Sequence, residues 1–331
     1  MTSKIDTSIR VFEQNFRAAK RAFTMNSGME ASGCAAAFIG DTEPVSEEVL
    51  RNAKVFLKKN TGLFSSVGHG IASQVVAAIL AKEKDPEYAL EQIEYIHKAI
   101  KAKFVTAAYP VLAAVMIYKH IRPQNYDKYI NRVLYIYKLL HKDHPMITGS
   151  EDVVNITLMA FSDLSETQLA EECEKIYCAL KRPFRSKNNN QYMACVMSIF
   201  DGTPEEKAFS ALQTRQVLKD HGLRFNDSAL SVVASMAMLV KPEDLDTVCQ
   251  EIVLVSDRIK QIRGMGNLGA GRSIRNLIAT AIVMDAYCTD GDIKIRSAVS
   301  SAIVSMIIAT EMACIIATTT AATAAAASAS R

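Results

Sequence analysis

Residues 85–104 read "DPEYALEQIEYIHKAIKAKF". Leu90, Ile93, Ile96 and Ile100 recur three or four positions apart, with Glu91, Glu94 and Lys98 between them. That period places the apolar side chains on one face of an α-helix and the charges on the other. Asp85-Pro86-Glu87 opens the segment. Proline in a first helical turn forfeits no hydrogen bond, and an acid there favours the positive end of the helix dipole. Lys98 and Lys101 suit the negative end. A helix with one apolar stripe needs something to bury it against.

The pattern returns along the chain. "AKVFLKKN", "IHKAIKAKF", "IYKLLHKDH", "IYCALKRPF", "TRQVLKDHG" and "SDRIKQIRG" each place Lys within two residues of an apolar anchor. The anchors are Leu57, Ile100, Leu140, Leu180, Leu218 and Ile259, at spacings of 43, 40, 40, 38 and 41 residues. Regular self-similarity of this length is the mark of a helical-repeat architecture. Thr203-Pro204-Glu205-Glu206 and Lys241-Pro242-Glu243-Asp244 also place Pro at a first helical turn, and Ser46 and Ser165 supply capping hydroxyls before Glu47 and Glu166.

Ahead of each amphipathic helix lies a small-residue apolar segment: "GCAAAFIG", "IASQVVAAILA", "YPVLAAVMIY", "VVNITLMAF", "YMACVMSIF" and "SVVASMAMLV". These are apolar all round, as buried helices are. No segment alternates with period two, and no βαβ unit is present. The fold expected is all-α, with helical hairpins of about forty residues stacked as an α-solenoid, open or curled toward an α/α toroid. It is read as a single helical-repeat domain over 1–331: an N-terminal helix over 1–24, hairpins over 25–264, and C-terminal helices with an Ala-rich tail over 265–331.

The tail from Ser297 to Arg331 is long enough to span a bilayer, but Glu311 lies in its middle and Ala, Thr and Ser dominate. A helix closing the concave face of the repeats is the favoured reading, with self-association through small residues as the alternative. A membrane anchor is disfavoured.

Of the 331 residues, 49% are hydrophobic and 22% charged, so a real core is available and disorder is excluded. A formal net charge of +3 gives no global pull on nucleic acid or anionic lipid. The seven cysteines are scattered, without a CxxC pair, and the N-terminus has no secretory h-region. A reduced, cytoplasmic chain is expected.

Residues 263–276, "RGMGNLGAGRSIRN", match the G-x-G-x-x-G fingerprint at Gly264-Met265-Gly266-Asn267-Leu268-Gly269. That motif cradles a dinucleotide only between a strand and a helix. Here Ile252, Val255, Ile259 and Ile262 before it form a helical stripe, so a dinucleotide fold is rejected. A glycine-rich joint is favoured. The competing reading is an anion site made by Arg263, Gly266, Gly269, Gly271, Arg272, Ser273 and Arg275 at a helix N-terminus.

Other candidates carry less. His141 and His144 in "HKDH" are stopped by Pro145 and read as helix capping. His69 in "SVGHGIAS" has no nucleophile to pair with. "EECEKIYC" (171–178) and the basic "LKRPFRSKNNN" (180–190) read as a solvated face and a solvated loop.

At "NTGLFSS" (60–66), "HPMITGSED" (144–152) and the small-residue tail, the chain resembles an uncharacterised bacterial family, the domain of unknown function numbered four thousand and three. The resemblance spans nearly the whole chain. It implies the all-helical class and supplies no activity or catalytic residue. The residues imply no cofactor and no metal. The function expected is non-catalytic binding of a protein or peptide partner on the concave surface. The alternative is an enzyme or sensor for a small phosphate- or carboxylate-bearing anion held by the 263–275 loop. No specific nucleic acid is expected, a membrane role is disfavoured, and an oligomer through the C-terminal helix stays open.

Overall fold

A computed structural model describes residues 3–23, 28–63, 65–70, 72–104, 108–184, 186–225 and 229–290. The expectation for the C-terminal tail lies outside these residues.

The described chain is all-helical. Its α-helices come in pairs: α1 (Ser3–Ala22) and α2 (Gly28–Ala36), α3 (Glu47–Asn60) and α4 (Ala72–Leu80), α5 (Pro86–Lys101) and α6 (Ala108–His120), α7 (Tyr126–Asp143) and α8 (Val153–Ala160). They continue with α9 (Glu166–Leu180) and α10 (Lys187–Met197), α11 (Pro204–Asp220) and α12 (Leu230–Leu239), α13 (Leu245–Lys260) and α14 (Gly271–Asp290). Every amphipathic segment read from the sequence lies in an odd-numbered helix, and every small-residue segment centres on an even-numbered one.

The starts of these helices follow from local chemistry. Asp85 accepts the Tyr88 amide at 3.0 Å, with Pro86 as the first residue of α5. Thr203 and Glu206 exchange side-chain and backbone bonds at the start of α11, as Ser165 and Gln168 do at α9. Pro242 departs from expectation. It sits in a turn, and α13 begins only at Leu245. The carboxylate of Asp244 makes no cap there and instead accepts the Tyr287 hydroxyl from α14 at 2.8 Å.

The two series pack differently. In α5, Leu90, Ile93, Ile96 and Ile100 are buried while Glu91 is exposed. In α4, every residue but Ser73 is buried, and α8 is buried throughout. Even helices touch their even neighbours in chain order, from α2 against α4 through to α12 against α14. Odd helices cover them, α5 against α7, α7 against α9, α9 against α11 and α11 against α13. The last helix also packs against the first two, and α1 against α13. Phe12 and Phe16 of α1 are fully buried there.

Side-chain contacts join matching ends of the even helices in the pairs α2–α4, α6–α8 and α12–α14, which therefore run parallel. At their C-terminal ends, Lys82 after α4 pairs with Asp41 after α2 at 2.6 Å, and the His120 and Phe161 rings that follow α6 and α8 lie 5.9 Å apart. The Lys241 amide after α12 donates to the Tyr287 hydroxyl of α14. At their N-terminal ends, Arg272 of α14 donates to the Gly222 carbonyl before α12 at 2.7 Å, and Asn276 to the Arg224 carbonyl.

Candidate functional site

Buried polar side chains normally find partners, because an unpaired one costs about 1–3 kcal/mol. Among the described residues, the exceptions on the even row share one location. Gln74 is the third residue of α4, Asp152 immediately precedes α8 and Asn155 is its third residue. Asn190 and Gln191 fall in the first five residues of α10, Ser231 is second in α12, and Ser273 and Arg275 open α14. His69, with its Nε2 buried and without a partner, lies in the loop leading to α4. Farther along an even helix, Asp285 Oδ2 is paired with Lys4 Nζ at 3.0 Å.

Asp152 is the centre of the best-defined part. It is 0% exposed, and Oδ2 accepts the Gly149 amide at 2.7 Å while Oδ1 has no partner. Burial pushes its pKa up to about 8; the Gly149 amide opposes this, and the neighbouring Glu151 carboxylate adds to it. The acid is therefore substantially protonated near neutrality. Tyr192 of α10 is raised by burial and then by Asp152, Glu151 and Tyr109 of α6, so three even helices meet here. Tyr137 of α7 and Cys195 of α10 also feel the Asp152 carboxyl. Cys195 lies one turn beyond Gln191 on α10, and its thiol is 4.0 Å from Cys173 of α9.

Gln191 is 0% exposed, and both its amide atoms lack partners. Asn190 donates to the Phe184 carbonyl at 3.0 Å, which fixes its amide with Oδ1 left over. This corrects the reading of 180–190 as a solvated loop. α10 begins at Lys187, and Asn189 and Asn190 are buried in its first turn. An apolar helix with amides at its mouth was visible in "NNNQYMACV", and in Gln74 and Asn155 inside their apolar segments. The relevant signal was polarity in the wrong series.

The loops that enter the even helices also carry exposed apolar tips. Leu63, Met146 and Leu268 are 83%, 95% and 107% exposed. They precede α4, α8 and α14 in turn, and so stand around the same end.

The glycine loop lies at this end as well. Gly264 and Gly271 have φ of +104° and +83°, a region glycine adopts without strain. A Cβ on Gly269 would stand 2.0 Å from the Gly264 carbonyl oxygen, so the loop folds onto itself. The amides of Gly269, Ala270 and Gly271 donate to the Gly266 and Gly264 carbonyls of the same loop. Arg275, 4% exposed, donates to the Met265 carbonyl and to Asn267 Oδ1, both at 2.9 Å. Arg272 turns to Gly222 and Arg263 is exposed. The predicted anion residues thus lie in the loop and the first turns of α14, but Arg272 and Arg275 have separate partners and Arg263 points to solvent. Ser273 Oγ and Arg275 Nε are buried without one.

The histidines of "HKDH" diverge too. His141 Nδ1 lies 3.1 Å from the Thr148 carbonyl, and His144 Nε2 lies 2.5 Å from Glu174. Within "EECEKIYC", Cys173 is buried 4.0 Å from Cys195, so that segment is only partly solvated.

Helical pairs with a polar, partly unsatisfied end define a class of all-helical protein with a candidate binding end. The family model described as "Protein of unknown function (DUF4003)" matches residues 15–313, and the chain belongs to that family. No curated protein and no solved structure matches it. Among the described residues no helix is long and apolar enough to cross a membrane.

Proposed function

We propose that the helical hairpins close into an α/α ring, and that the protein is a non-catalytic module binding a peptide segment of a partner at the end where the even helices begin. Closure is supported by the packing of α14 on α1 and α2 and by the Lys4–Asp285 pair between the first and last helices. A compact chain of this length has a radius of gyration of about 20 Å, which small-angle scattering measures; an open solenoid exceeds it.

The observation that carries the binding reading is the set of buried carboxamides with unpartnered atoms, above all Gln191, with both, and Asn190, with its oxygen. A carboxamide offers one donor group and one acceptor, matching the N–H and C=O of an extended peptide. The exposed tips at Leu63, Met146 and Leu268 provide apolar contact around the same end. A library of displayed peptides, selected on the native chain and on an Asn190→Ala/Gln191→Ala variant, tests this. Sequences enriched on the native chain alone support it; equal enrichment on both, or none on either, sinks it.

The second reading, a small anion at the 263–275 loop, has one observation in its favour: buried, unpartnered Ser273 Oγ and Arg275 Nε at the positive end of α14. A thermal-shift titration with phosphate, nucleotides and carboxylates on the native chain and on Ser273→Ala separates the readings. A shift lost in the variant favours the anion.

A further inference from the structure

The odd row carries a feature that the binding end does not use. On α7, Lys128, Asn131, Tyr135, Lys138 and Lys142 are all exposed and recur alternately three and four positions apart. They form one stripe along the outside of the helix. The stripe borders a groove of about 930 Å³ whose wall also includes Lys103, beyond the end of α5, and the Tyr137 ring. The groove has a single acid, Glu166, and that is held by Arg132 Nη1 at 3.2 Å. Asp127, the acid nearest the start of the stripe, accepts the Tyr95 hydroxyl of α5. Lys103, Lys128, Lys138 and Lys142 make no ion pair among the described residues.

This differs from the charge pattern elsewhere on the odd row. Arg17 with Glu13 and Arg51 with Glu47 are ordinary pairs four residues apart on one helix, and Arg258 reaches Asp6 between α13 and α1. On α7 the corresponding positions carry Lys, Tyr and Asn, so the cations repel one another without an internal counter-charge. With a whole-chain charge of only +3, the concentration of cations is local. A solvated face does not need a groove; here the cations line one.

We propose that this groove docks an acidic, extended segment of a partner protein. From Lys128 to Lys142 the stripe rises about 21 Å along the helix, the reach of about six extended residues. Four lysines can meet carboxylates along that length, and the exposed Tyr135 supplies an apolar surface between Lys128 and Lys138. Compact, strongly hydrated ammonium groups suit carboxylates presented singly along a chain, without the fixed fork that a guanidinium imposes. The groove adjoins the peptide end at Tyr137, but this inference does not depend on that reading.

Fluorescence anisotropy tests the assignment with a labelled peptide of six glutamates, run on the full chain in low and in physiological salt. The native chain binds, weakening as salt rises, and Lys128→Glu/Lys138→Glu/Lys142→Glu loses at least tenfold in affinity. A control with the same change of charge, Lys58→Glu/Lys59→Glu/Lys219→Glu, alters surface lysines outside the groove and retains binding within about threefold. Melting curves establish that both variants fold; if the α7 variant does not, Lys138→Gln/Lys142→Gln replaces it, with a loss of at least threefold expected. Equal losses in the groove and control variants overturn the proposal, because only net charge would then matter. No binding by the native chain overturns it as well. A single-stranded oligonucleotide that binds the groove where the peptide does not would overturn the choice of partner.

Discussion

The two ends of the even helices are built on opposite rules. At the C-terminal ends half-buried and exposed polar groups have partners: Lys82 with Asp41, Lys4 with Asp285, and Tyr287 with Asp244 and Lys241. At the N-terminal ends, Gln74, Asp152, Asn155, Asn190, Gln191 and Ser231 each bury at least one atom with no partner. The chain, the helices and the surrounding apolar core are the same. What differs is whether the protein itself satisfies its polar groups. One end is finished internally, and the other leaves polar atoms open that the proposed partner would complete.

The largest effect should fall on the packing of α1 against its neighbours. Phe16 is 0% exposed where α1 meets its neighbours, and Phe16→Ala should cost about 3–5 kcal/mol in equilibrium denaturation. A loss below 1 kcal/mol would make α1 a loosely attached arm and break the comparison at its base.

The pH dependence of stability distinguishes the ends by sign. An ordinary aspartate ionises near 3.8, whereas Asp152 in the fold does so near 8, so between these values the folded chain holds the extra proton. Stability contributed here falls as pH rises through that window. At the other end, burial and then Lys119 push His120 down to about 4 from 6.5. There the unfolded chain holds the extra proton, and stability rises with pH between those values. The slopes oppose each other below 6.5, and the aspartate acts alone from there to about 8. Asp152→Asn keeps an acceptor for Gly149 and should gain about 1–3 kcal/mol at pH 8, with the slope between 6.5 and 8 flattened. Denaturation of both chains at pH 6.5 and 8 reads this directly. An unchanged slope would place the titrating group elsewhere.

A cap provides the scale for an ordinary, fully paired polar group. Thr203→Ala removes the side-chain acceptor for the Glu206 amide and should lower stability by about 1 kcal/mol. A loss within 0.3 kcal/mol would mean that paired surface groups set no useful reference for the unpaired ones.

Much of the fold was legible in the sequence because its signals are local. The stripe at Leu90, Ile93, Ile96 and Ile100 and the caps at Asp85, Ser165 and Thr203 are set by neighbours within one turn. Pro242 misled because the choice there is made across the fold, where Tyr287 takes the Asp244 carboxylate. The site was less legible for the same reason. Gly264 to Gly271 stood out as a motif, yet their amides are used within the loop. Asn155 lies inside an apolar segment and Gln191 just ahead of one. Their meaning depends on α8 and α10 lying side by side, which no single segment encodes.

The most direct test of the central claim needs no ligand. Gln191→Leu removes an unpartnered amide and Asn155→Leu an unpartnered amide oxygen, each for an apolar side chain of similar size, and urea denaturation measures each against the native chain. If this end is completed from outside, both variants match the native stability or exceed it by about 1 kcal/mol, because an unpaired buried amide has been removed. A loss of 2 kcal/mol or more in both would mean that the fold itself already satisfies these groups, and the distinction between the two ends would be lost.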